Sequence, residues 1–341
     1  MIKQAQFHLL CSAIAAFLLS PSVHAAAPYY EGKAIRIIVG TAPGGGYDTY
    51  TRLLARHFSK HIPGTPTVIV DNMPGAGGLL SANHMYRVAK PDGLTIGHFV
   101  GGQFLQQLLG RPGIEFDARR FEYIGVPAQD NFVLTVAKAS GVSSMDQWIS
   151  SKTPIKFGAI APGDGTYDIP KVIEATLGVP IQIVTGYKGT APIRLAFNSG
   201  EVAGLSNSWQ SLKSTWSKEL ESGEAIMLAQ ISTKPHADLP KLPLAMSLAK
   251  SDESRKLIVA VAQSHGAAVR PYLLPPETPK NLVEILRKSF LEAIRDPELL
   301  AEAKKARLEI NPGSGEELER NVKDLLLLDK PLVERLKDIL K

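Results

Sequence analysis

A single cysteine, Cys11, stands among 341 residues, and it sits near the N-terminus. Long apolar runs are equally scarce. Leu9 to Leu19 is the one stretch that approaches membrane character, and it falls short of the roughly 20 residues a spanning helix needs. A polytopic membrane protein is thereby excluded. Runs of like charge are missing too: 38 Lys+Arg against 33 Asp+Glu leave a formal +5 scattered along the chain, a poor footprint for nucleic acid. No GxxxxGK[ST] loop and no HExxH occurs, and Gly75-Ala76-Gly77 lacks the third glycine of a dinucleotide fingerprint. The stretch Gly204-Leu205-Ser206-Asn207-Ser208 lacks the closing glycine of a hydrolase nucleophile elbow. Catalytic residues, a metal and a cofactor are therefore not expected, and a periplasmic hydrolase is the weaker rival.

What is present begins with an export pattern. Lys3 with no nearby acid, the apolar Leu9–Leu19, Pro21 and the small residues of Val23-His24-Ala25 read as a secretory signal over residues 1–25. Cleavage after Ala25 would remove Cys11, leaving no disulfide, thiol nucleophile or cysteine metal site. The expected compartment is the periplasm.

From residue 34 onward, β-branched runs alternate with helical spacing. Strands are expected at 34–39, 67–70, 94–99, 132–136, 155–160, 181–184 and 225–231. Helices are expected between them at 48–58, 79–88, 144–150, 168–177 and 191–199, with a helical tail from about Asn281. That alternation predicts parallel α/β sheets with right-handed crossovers. The pattern restarts near residue 126, so two lobes are expected, 26–126 plus 233–341 and 127–232.

Four times a strand runs through glycine into a helix: Pro43-Gly44-Gly45-Gly46-Tyr47-Asp48, Pro74-Gly75-Ala76-Gly77-Gly78, Pro162-Gly163-Asp164-Gly165-Thr166 and Tyr187-Lys188-Gly189-Thr190. Glycine lets a ligand approach main-chain amides, and a helix start adds unpaired donors and partial positive charge. At the carboxyl ends of parallel strands, such loops form a crevice for a small acid. One ligand carboxylate is expected on the amides of Gly44, Gly45, Gly46 and Tyr47 and of Gly75, Ala76, Gly77 and Gly78. The far end is expected at Gly165, Thr166, Gly189, Thr190, Asn207 and Trp209. Asp48 reads either as a first-turn acid stabilising its own helix or as partner of a substrate hydroxyl or ammonium. His57 and His61 share a helix face, but without a matching carboxylate they read as an exposed helix end.

The residues from Ile35 to Ile96 resemble the opening of the Bug-type (tripartite tricarboxylate transporter, TctC-like) solute-binding receptors. The resemblance rests on Ala42-Pro43-Gly44-Gly45, Asp48, Arg52-Leu53-Leu54-Ala55, Val70-Asp71-Asn72, Pro74-Gly75-Ala76-Gly77-Gly78 and Pro91-Asp92-Gly93, all collinear. It implies a periplasmic binding protein of type II, a Venus flytrap of two α/β lobes with a ligand cleft between them. It implies a monomer that captures a di-, tri- or aromatic carboxylate for the large and small membrane subunits of a secondary transporter. A receptor serving a membrane sensor kinase is the alternative. Four departures bear on the ligand. The loop Phe157–Thr166 runs about two residues longer than the family's usual form, Ala159 replaces its first serine, and Ala196 and Asn207 replace acids.

Overall fold

The computed structural model describes residues 27–266 and 268–341. The expected export signal lies outside them. Eleven strands form among the described residues: β1 Ala34–Val39, β2 Thr67–Asn72, β3 Thr95–His98, β4 Glu122–Val126, β5 Phe132–Ala137, β6 Ile155–Gly158, β7 Ile181–Val184, β8 Gly204–Ser208, β9 Ala225–Ile231, β10 Tyr272–Leu274 and β11 Gly313–Ser314. They make a six-stranded sheet, β11-β4-β10-β3-β1-β2, and a five-stranded sheet, β7-β6-β8-β5-β9.

Each sheet is the middle layer of a lobe. Ile35 and Ile37 of β1 face a core with Leu53, Phe58 and Phe290, while Ile38 faces Met85, Phe99 and Tyr123 on the other side. In β5, Leu134 and Val136 pack with Trp148, Phe157 and Val172, and Val133 packs with Ile193, Leu205 and Trp216. Strands buried on both faces need apolar residues at successive positions, which is why their sequences run nearly unbroken.

The sheets are mixed rather than wholly parallel. β1 pairs parallel with β2 and β3, but β10 runs antiparallel between β3 and β4. β5 is antiparallel to both β8 and β9. The chain leaves the first sheet after β4 and returns in β10, and each return reverses a strand's direction. Leu257, Ile258 and Val261 of helix Asp252–Gly266, and Val333 and Leu336 of helix Lys330–Ile339, belong to the core around Phe157 and Val172. These two helices bury apolar residues in the core that also holds Leu134 of β5 and Phe157 of β6.

No helix among the described residues is long and apolar enough to cross a membrane.

Candidate functional site

The loop after β1 is braced from within. Asp48, in the first turn of helix Gly46–Phe58, accepts the Gly44 N–H at 2.9 Å and the Asn72 Nδ2 at 3.0 Å. Arg52 Nε also donates to Asp48, at 3.0 Å, while Asn72 Nδ2 donates onward to the Thr41 carbonyl. Burial alone would raise the Asp48 carboxyl; the donors from Arg52, Gly44 and Asn72 outweigh it and hold the group below its ordinary value. Asp48 is thus spent on the loop rather than turned toward a substrate group, and the Gly44 amide is spent with it.

The next amides are not spent. Helix Gly46–Phe58 has Gly45 as its N-cap with no side-chain cap, and helix Thr190–Asn198 has Gly189 as its N-cap, also without one. Each start leaves main-chain donors and partial positive charge to be satisfied from outside the helix. The two starts, one from each lobe, abut: a Cβ built on Gly45 would lie 2.9 Å from Thr190 Oγ1. Nearby, the Ala42 N–H donates to the Lys188 carbonyl at 2.8 Å, a direct bond between lobes.

Around this junction lies a cavity of about 20 Å³, room for about one water, lined by residues of both lobes. Gly45, Gly46, Tyr47 and Thr41 come from the first lobe; Ile160, Asp164, Thr166, Thr190, Asn207, Ser208 and Ser211 come from the second. Two buried polar atoms on its wall, Thr41 Oγ1 and Asn207 Nδ2, have no hydrogen-bond partner. A buried donor or acceptor left unmatched costs about 1–3 kcal/mol, so such atoms at a cavity point to a group that completes them.

The family model for the tripartite tricarboxylate transporter family receptor matches residues 51–337. The chain belongs to that receptor family. A curated relative, "UPF0065 protein in gbd 5'region" of Cupriavidus necator, is 27% identical over 284 residues, 82% of this chain and 80% of its own. Among solved structures, the periplasmic binding protein BugD superposes with a TM-score of 0.74 at 22% identity, covering 91% of this chain and 98% of that one. MatC from Rhodopseudomonas palustris with bound malate gives 0.71 at 18%, covering 91% and 99%. The two-lobed fold of periplasmic binding proteins is shared with both.

The other expected residues take up the following positions. Helix Gly165–Leu177 is capped by its own acid, since Asp164 Oδ1 accepts the Thr166 N–H at 2.8 Å; Thr166 reaches the cavity by its side chain, not as a free amide. Gly165 sits against the Phe132 ring, and Gly189 against Ala42. The turn Gly75–Gly78 does not line the cavity. It is a clasp between lobes: Gln103 Nε2 donates to the Gly77 carbonyl at 2.9 Å and to the Pro162 carbonyl at 3.3 Å. Trp209 also points away, its indole N–H donating to Asp238 Oδ2 at 3.0 Å beside His236. His57 and His61 meet carboxylates that the tertiary fold supplies, Glu302 and Asp296, each at 2.8 Å.

Sequence reasoning missed Arg270. Its side chain is fully buried, donating to Asp130 Oδ2 at 2.7 Å, Ser208 Oγ at 2.6 Å and Ser211 Oγ at 3.2 Å, and it stacks over Tyr50. It ties the strand returning to the first lobe to the cavity floor of the second. The available signal was a lone arginine within Ala267-Ala268-Val269-Arg270-Pro271-Tyr272-Leu273-Leu274. His98 stacks on Tyr272 at 4.1 Å and is neutral, since burial pushes it down to about 3.

Proposed function

We propose that this receptor captures a small carboxylate in the periplasm and delivers it to the membrane subunits of a tripartite tricarboxylate-type secondary transporter, without chemistry of its own. One observation carries the reading. Two uncapped helix starts from opposite lobes meet at Gly45 and Thr190, beside the unmatched Thr41 Oγ1 and Asn207 Nδ2. Such a setting favours an anion that also hydrogen-bonds. Each helix start contributes about 0.3–1 kcal/mol to holding a carboxylate, and more where water is excluded. The structures of MatC with malate and of Rpa4515 with adipate, from the same fold, support an organic acid as the class.

The division into hinged units follows the sheets, with helices Asp252–Gly266 and Lys330–Ile339 moving with the second. The chain segments joining the sheets, near 127–131 and ahead of β10, serve as the hinge. With only about 20 Å³ in this cavity, entry requires the lobes to part, and the ligand shifts an open–closed equilibrium toward the closed form that the membrane subunits read.

A thermal-shift screen of di-, tri- and aromatic carboxylates on the chain from residue 26 tests this. At a hundredfold excess over Kd, a true ligand adds about 2.7 kcal/mol, or about 4 °C for this length. Flat curves throughout, with no acid co-purifying by mass spectrometry, overturn it.

A further inference from the structure

Within that reading of the cavity as the ligand site, we propose that Asp164 makes the receptor selective for carboxylic acids bearing a hydrogen-bond donor, hydroxyl or ammonium, on the carbon next to the carboxylate. Plain dicarboxylates are the disfavoured class.

The lining of the cavity is electrically lopsided. It contains no lysine, arginine or histidine, and Asp164 is its one acid. The side chain of Asp164 is almost wholly buried, with 4% of the residue's surface exposed. Its Oδ1 is used twice, by the N–H and the hydroxyl of Thr166. Among the described residues, no donor reaches Oδ2. The neighbouring guanidinium of Arg270 is committed to Asp130 at 2.7 Å. Burial accordingly pushes the Asp164 carboxyl up, only partly offset by the Thr166 donors.

The rest of the lining has the reverse character, with the open helix starts at Gly45–Tyr47 and Thr190 offering donors to a carboxylate. A ligand held by both carries an acceptor and a donor close together, because Asp164 and the helix starts line the same pocket. An acid with a 2-hydroxyl or 2-ammonium group does so. Succinate has nothing to give Asp164 and sets a second negative group within the same enclosure.

The test is calorimetric titration with three four-carbon acids, succinate, malate and aspartate, on the wild-type chain and on Asp164→Asn. Asparagine caps a helix as well as aspartate does, so the fold is expected to hold. Asp164→Ser, which also caps, is the second variant should Asn melt early. The expected result is malate or aspartate binding at least tenfold tighter than succinate, with the gap falling below threefold in the variant. Succinate binding as tightly as both others, or a gap that survives in both variants, overturns the role of Asp164 while leaving the carboxylate reading intact. Failure of all three acids to bind, together with a flat thermal-shift screen, overturns both.

Discussion

Gly46 and Ser211 approach so closely across the lobes that a Cβ on Gly46 would fall 1.9 Å from the Ser211 Oγ. Gly46 opens one uncapped helix and Ser211 lies in helix Trp209–Thr215, so under the proposed hinge motion this contact belongs to the closed arrangement. Gly46→Ala is expected to hold them apart and raise Kd at least tenfold, about 1.4 kcal/mol. Ser211→Gly in the same chain is expected to restore part of the loss. Calorimetry on the single and double variants checks the coupling, and additive effects refute it.

Arg270 and Asp130 form a fully buried pair. Arg270→Met leaves Asp130 as an uncompensated charge, at a cost of about 3–5 kcal/mol. For a chain of this length that is a fall in Tm of about 5–8 °C, read by calorimetry. A change under 2 °C would mean the pair contributes little.

Asp48→Asn removes the charge and replaces one of the two acceptor oxygens that hold the Gly44 amide, Asn72 and Arg52 together with a donor. Stability is expected to drop by about 1–3 kcal/mol. Every acid that binds is expected to weaken by the same factor, whether or not it carries a hydroxyl or ammonium. A loss confined to hydroxy- or amino-acids would place Asp48 at the ligand instead. Because the folded-state value lies below the ordinary 3.8, Asp48 contributes fully above that value. Its contribution disappears as pH falls through the lowered one. The Tm difference between wild type and variant is therefore expected to be constant above about pH 5 and to shrink below pH 4.

Gly77→Val places a branched side chain at φ +65° and within 3.1 Å of the Pro162 carbonyl. Binding is expected to weaken at least tenfold because the clasp with Gln103 no longer closes, and Gln103→Ala is expected to weaken it in the same direction. Unchanged affinity in both variants would remove this turn from closure.

Trp209→Phe loses one hydrogen bond, to Asp238, at about 1 kcal/mol of stability. Affinity is expected to stay within twofold. A larger change would bring the indole back to the ligand.

How far the sequence reached is clearest in β1. Five of six residues from Ala34 to Val39 are apolar, and the glycine cluster after them marks the turn into a helix, so strand, loop and helix were all legible. β10 and β11 were not. Three residues and two residues carry no periodicity; β10 exists because β3 and β4 flank it, and β11 because β4 lies beside it. Helix Asp252–Gly266 was also missed, its charged first turn and modest apolar face giving little contrast.

At the site, the residue types and local order of the chain were enough to pick out glycine loops at helix starts, because helix ends and positive φ are short-range properties. Which of those ends stay open was decided by the fold. Asp164 and Asp48 lie within four residues of the amides they occupy, yet nothing local separates such an acid from one facing a ligand. Arg270 is 140 residues from Asp130, and Gly45 meets Thr190 only across the cleft. Chain composition thus determined two α/β lobes with amide-bearing turns. The meeting of particular turns, and the charge left unmatched between them, depended on long-range packing, which no window of neighbouring residues records.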